Sequence, residues 1–357
     1  MKMQIIKMTS SIVCLGFLMS ATNCQQPVAE TRQLKKNIRV MYMNASSFLD
    51  NSGFSFSETA QSQLSGVLFE KNYFYERNVY PSTVVTVNGQ SQVRINKASV
   101  EQIQKFFPLA KTQEIELSQD STCLISRPQH FIAGKINALE AYGGGSLQFG
   151  FSQTAAPALP ISAHIKIDKM RMDLSFHAFD PWSQQDVGSV NTEAIKNDYA
   201  AGFGVDVGIF HIGPEFYRTT GMAETTLKGL RTGITTLADK LLGTPGEDWS
   251  TRVIYSRDNY VLILGGEELG IKAGDQFKVY NQVHNWQGEP CGASSILNGS
   301  TTISDSQDPW IIEVEGADNK GMTKARVLNP KENISINTGA LVKLHQFVKP
   351  PPPVAAK

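Results

Sequence analysis

The sequence predicts a mixed α/β (α+β) domain that carries two β-hairpins suited to a shared, oligomeric membrane β-barrel, followed by a small all-β domain. Three observations predict this. Between residues 146 and 209, short arms alternate apolar and polar residues. Leu227, Leu230, Ile234, Leu237 and Leu241 recur at spacings of 3, 4, 3 and 4, which lays one apolar stripe along a helix. From Trp249 onward the chain changes to short β-like runs broken by turn residues.

The first 24 residues read as a secretion signal of the lipoprotein type. Lys2 and Lys7 precede the apolar run Ile12–Met19, and small residues follow up to Cys24. The run is shorter than the ~20 residues of a spanning helix; a buried N-terminal helix is the alternative. Cys24 is the candidate lipid anchor, although Ala21-Thr22-Asn23 matches a lipobox only loosely. One acyl chain binds a membrane marginally, so multiple acylation or further membrane contacts are expected. Residues 25–37 form a polar tether.

The first domain is expected over 38–246. Ile38–Met43 reads as its first strand, and Ser55-Phe56-Ser57-Glu58 offers a capping-box start to a helix with Ala60, Leu64, Val67 and Leu68 on one face. Thr83–Val87 and Gln90–Ile95 flank Asn88-Gly89, a strong short hairpin signal. A helix fits Ser99–Phe107 before Pro108, and a strand fits Phe131–Leu139 after a polar stretch. The second domain is expected over 247–347, with a Pro-rich tail at 348–357.

Hairpin one is placed at 140–168. Leu147, Phe149 and Phe151 alternate with polar residues, a turn region covers 153–160, and Ile161, Ala163, Ile165 and Ile167 alternate on the return. After Asp168-Lys169 the phase slips by one, to Met170, Met172, Leu174, Phe176 and Ala178, which predicts a bulge or a boundary there. Hairpin two is placed at 187–217, where Phe203, Val205, Val207 and Ile209 alternate but the first arm does so poorly. The pattern fits lipid on one side and water on the other. It also fits amphipathic strands of a soluble sheet. Four strands cannot close a membrane barrel, so if these hairpins enter lipid, several copies must share one.

Other functions find little support. Lys plus Arg and Asp plus Glu are both 33, leaving no basic surplus for nucleic acid. The chain has no His-Glu-x-x-His, Cys-x-x-Cys, phosphate-loop or Gly-x-Ser-x-Gly pattern, so neither an enzyme nor a cofactor or metal site is expected. Cys123 and Cys291 are read as two separate buried thiols rather than one bridge.

Ile165–Leu174, Ser189-Val190-Asn191-Thr192 and Tyr199–Ile212 resemble, in order and spacing, the CsgG family of outer-membrane curli secretion channels. Glu140–Gly145 is similar to the start of that family's first membrane hairpin, and Phe74-Tyr75-Glu76-Arg77 to its Leu-Glu-Arg segment, so the likeness covers residues 36–243. The resemblance implies a periplasmic domain under the outer membrane, a homo-oligomeric ring, a secreted polypeptide as cargo, and a pore constriction in the loop after the first strand. Here that loop is Asn44–Phe56, with Asn51, Phe54 and Phe56 as constriction residues and no tyrosine. The same Phe residues could equally pack in the local core. Val261–Gly266, Leu269–Tyr280 and Ile336–Leu344 look like the small C-terminal β-barrel of the flagellar basal-body protein FlgT. That likeness implies a binding module, and it favours the alternative of a periplasmic structural lipoprotein in a flagellar or envelope assembly, bound to its assembly proteins and without a pore.

Overall fold

The computed structural model describes residues 32–45, 55–70, 73–77, 79–111, 115, 117–143, 148–152, 164–165, 167–197, 205–206, 222–244, 247–291, 299–303, 308–318, 321–332 and 334–348. For 141–143, 148–152, 164–165, 167–168, 197, 205–206 and 317–318 it describes the backbone alone. The chain divides into two compact units, Met1–Gln33 and Leu34–Lys357, and all strands and helices among the described residues belong to the second. The fold is mixed α+β, with four α-helices and a closed six-stranded antiparallel barrel among the described residues.

The main sheet has the order β2 (Phe74–Glu76), β1 (Lys36–Asn44), β5 (His130–Gly143), β8 (Ile167–Phe179), β9 (Asp186–Asn197). Strand β1 runs parallel to β2 and β5, and the remaining pairs are antiparallel. One face is covered by helices α1 (Phe56–Glu70) and α4 (Met222–Leu242), which bury Ile38, Val40, Ile132, Ile136, Met172, Leu174 and Phe176. Ser55 starts α1 as its capping-box reading predicts, its Oγ accepting the Glu58 N–H at 3.1 Å, and Ala60, Leu64, Val67 and Leu68 are buried. Among the described residues the other sheet face carries no helix and is polar: Arg171 reaches Asp173 at 3.1 Å and Glu193 at 3.0 Å, and His177 meets Asp186 at 2.6 Å.

Helix α4 approaches the sheet closely because Gly229 and Gly233 lie in its contact stripe. A Cβ on Gly233 would sit 2.2 Å from Phe176 Cε2, and one on Gly229 would sit 2.3 Å from Leu174 Cδ1. Gly233→Leu gains at most ~1 kcal/mol of helix propensity and is expected to lose more by overpacking, a net loss of about 1–2 kcal/mol. Urea unfolding measures this; unchanged stability would mean that helix and sheet do not touch so closely.

The ribbon β3 (Ser82–Val87) and β4 (Gln90–Ile95) forms at the predicted Asn-Gly turn, where Asn88 and Gly89 both take positive φ, 52° and 78°. Helix α2 (Lys97–Phe106) is capped by the Asn96 side chain, two residues before the expected start. The polar stretch before β5 holds a helix that sequence periodicity does not reveal, α3 (Gln119–Ser126), capped by Ser118.

The barrel order is β11 (Ser250–Arg257), β12 (Tyr260–Leu264), β17 (Met322–Val327), β16 (Trp310–Asp318), β13 (Gln276–Tyr280) and β18 (Leu341–Gln346). Val253, Val261, Ile263, Phe277, Val279, Trp310 and Ile312 fill it. The Gly274-Asp275 turn is held by the fully buried Asp275 carboxylate, which accepts the Lys272 N–H at 2.8 Å and the Val348 N–H at 3.1 Å. A ribbon, β14 (Gln282–Asn285) with β15 (Ser300–Ile303), extends from the barrel.

The expected border at 246/247 falls inside one compact unit, and the reason is a third apolar cluster. Tyr80, Ile103, Phe107, Ile115 and Ile125 of the first part pack on Ile254, Tyr255, Leu262, Leu264 and Met322 of the barrel. Polar ties add to it: Trp249 Nε1 donates to the Lys35 carbonyl at 2.9 Å, and Arg77 pairs with Glu268 at 3.0 Å. The reading of two separate thiols is corrected here. Cys123 of α3 and Cys291 after β14 form a disulfide, their Cα atoms 5.5 Å apart across 168 residues of sequence. Packing of α3 on the barrel brings the two together, and nothing near either cysteine in sequence reports that contact.

Candidate functional site at the far end of the sheet

Because β1 and β5 are parallel and β8 and β9 each reverse, Asn44, Gly143, Ile167 and Asn197 all lie at one end of the sheet. The loop expected to constrict a pore and both expected hairpins therefore depart from the same end. The barrel joins at the opposite end, where Gln129 Nε2 donates to the Asp248 carbonyl at 2.6 Å.

Past the helix-covered part the ladder continues. Strand β6 (Gln148–Ser152) pairs back antiparallel on Ala138–Tyr142 of β5, so among the described residues the first arm of hairpin one pairs with β5 and not with its own return arm. The return arm has β7 (His164–Ile165), which pairs with β10 (Val205–Asp206) of hairpin two. Carried on in the β8–β9 register, Ile165 would face Ala201; it pairs with Val205 instead. The two hairpin segments are thus neighbours in the backbone ladder.

The predicted irregularity at Asp168 is present. Tyr142 pairs with Lys169 and Gly143 with Ile167, leaving Asp168 as the extra residue. This bulge absorbs the slip in the pattern. Ile167 takes the ladder site two places on from Met170, so the apolar series keeps its phase along the strand instead of changing sides.

Of the expected site residues, Phe149 and Phe151 lie in β6, Ile165 in β7, Ile167 in β8 and Val205 in β10. Cys24, Asn51, Phe54, Leu147, Ile161, Ala163, Phe203, Val207 and Ile209 lie outside the described residues. Phe56 is corrected: it is the first residue of α1 and fully buried in the sheet–helix core, so it cannot line a lumen in this fold. Its i, i+4 spacing to Ala60 and Leu64 already carried that signal.

Sequence reasoning missed a buried polar group at the barrel end. His130, at the start of β5, is 1% exposed, and Glu247 Oε2 lies 3.2 Å from its Nε2 but out of line, so neither ring nitrogen has a hydrogen-bond partner. Lys36 Nζ donates to the Glu247 carbonyl. Burial, with the Lys36 charge beside it, lowers the His130 pKa to about 3. Burial also lowers Lys36 and raises Glu247. The three residues are too far apart in sequence to form a motif.

Among the described residues no group of His, Cys, Asp or Glu side chains is placed to hold a metal ion, and no helix is long and apolar enough to cross a membrane. The class defined is a two-layer α+β sheet domain joined to a closed antiparallel β-barrel. No family model matches the chain, and no curated protein matches it.

Proposed function

We propose that this protein is an oligomeric outer-membrane secretion channel, anchored by a lipid on Cys24 at the periplasmic side, that passes unfolded polypeptide outward. The observation that supports it best is the shared departure of the 45–55 loop and both hairpin segments from one sheet end, on strands whose apolar phase runs on through the Asp168 bulge. Open strand edges are not tolerated in lipid, so the hairpins of several copies close one barrel. Its lumen-side walls are polar, as is the bare sheet face below.

A charge on the lipid side tests this. Phe149→Arg and Ile165→Arg are each expected to cost about 2–4 kcal/mol near the membrane midplane and to abolish insertion. The readouts are membrane fractionation and planar-bilayer conductance. Insertion and conductance equal to the parent's would remove the channel reading.

A second reading, a pore-free periplasmic scaffold lipoprotein of a flagellar or envelope assembly, is favoured by the barrel, which is joined by a disulfide to the sheet domain away from the hairpins. A stable ring in negative stain without conductance would select it.

A further inference from the structure

The bare sheet face ends, toward the barrel, in a depression of about 330 Å³ that uses two arginines in a way the fold does not need. Arg39 of β1 and Arg127, the residue directly after α3's last residue Ser126, both line it, with Thr83 and Ser126 and an apolar wall of Val84 and Phe131. Among the described residues no carboxylate lines it. Among the described residues none lies within ion-pair distance of either guanidinium.

Each arginine is held by neutral groups. Arg39 lies over the Tyr80 ring, 5.1 Å from its centre. Arg127 lies 5.4 Å from the Trp182 ring centre and donates from Nη1 to the Pro181 carbonyl at 3.1 Å. The nearest acid that influences Arg127, Asp180, spends Oδ1 on its own turn, accepting from the Trp182 N–H at 2.9 Å and the Ser183 N–H at 2.6 Å. A third guanidinium, the half-buried Arg252, packs on the same indole at 5.9 Å. Burial and the like charge of Arg39 both hold the Arg127 pKa below its ordinary value. Cations gathered in a partly dry hollow repel one another, and an anion relieves that repulsion while filling the planar N–H forks.

We infer that this hollow is a binding site for one anionic group, a phosphate or a carboxylate of a small ligand, gripped by Arg39 and Arg127 and seated against Thr83 and Ser126. The Ser126 hydroxyl now makes only a long 3.4 Å bond to the Cys123 carbonyl and is free to turn to such a ligand. The site does not depend on the channel reading, since it lies on described residues at the far end from the hairpins.

The test is calorimetric titration and thermal melting of the mature protein with sodium phosphate and, separately, sodium acetate, each against sodium chloride at equal ionic strength. Saturable binding of phosphate, of acetate or of both supports the site and says which chemistry it prefers. Arg39→Met and Arg127→Met are each expected to weaken that binding at least about tenfold, whereas Lys278→Met on the barrel leaves it unchanged. Arg39 has no backbone tie of the kind Arg127 makes to Pro181, so Arg39→Met serves if loss of that tie unfolds the other variant. Absence of saturable binding by either anion above the chloride control, or undiminished binding in the Arg39 variant, overturns the inference.

Discussion

Cys123→Ser is expected to lower the unfolding free energy by about 2–5 kcal/mol, because the bond it removes closes a loop of 168 residues in the unfolded chain. The upper figure follows from chain entropy, which rises slowly with loop length. The folded side should change little. Ile125, beside the cysteine on α3, still packs on Ile254 and Leu262, so barrel and sheet domain stay docked in the reduced protein. Urea unfolding of Cys123→Ser, of Cys291→Ser and of the parent in reductant should agree within error. A parent insensitive to reductant would show that the bond contributes nothing, and a variant whose two parts unfold separately would show that it alone holds them together.

The second large effect is at His130. Its pKa of about 3 in the fold, against 6.5 in the open chain, means that the unfolded state takes up a proton first as the solution is acidified. Stability is therefore full above pH 6.5 and is lost progressively as pH falls toward 3, by about 5 kcal/mol in all. Lys36, Asp180 and Glu247 face the ring. The raised pKa of Glu247 acts in the opposite sense, because the fold accepts that proton more readily than the open chain, and it trims the loss. His130→Leu should flatten the acid limb. At pH 7 it should leave stability unchanged or higher, since the imidazole's buried nitrogens have no partners to forfeit. A melting-temperature series from pH 7.5 to 4 decides it: an acid limb equally steep in parent and variant would assign the loss to other groups.

Elements whose cause is local were legible in the sequence. The Ser55 cap, the Asn88-Gly89 turn and the leucine stripe of α4 each depend on residues within one or two turns of one another, and each forms where expected. The slip at Asp168 was legible as well, but not its resolution, because whether a bulge restores phase depends on what β5 offers opposite it. Helix α3 escaped notice because its buried set, Thr122 to Ile125, is contiguous rather than spaced at 3.6 residues. The Cys123–Cys291 bond, the His130–Lys36–Glu247 group and the Arg39–Arg127 hollow join positions dozens to hundreds of residues apart. Long-range pairing of strands in the sheet, together with the docking of barrel on sheet, assembles them. Of the two readings open for Phe56, pore lining and core packing, the core is the one it takes, in keeping with its helical spacing to Ala60 and Leu64.

The six staves of the barrel are not laid in order. Strand β18, last of them in sequence, borders both β11 and β13 and so completes the circle. While the chain is made or threaded N-terminus first, the other five can assemble only into an open trough whose two rims lie ready to capture any extended segment, including another copy of itself. Trimming the protein back past Leu341 should freeze that trough, so its solubility hangs on the strand that arrives last.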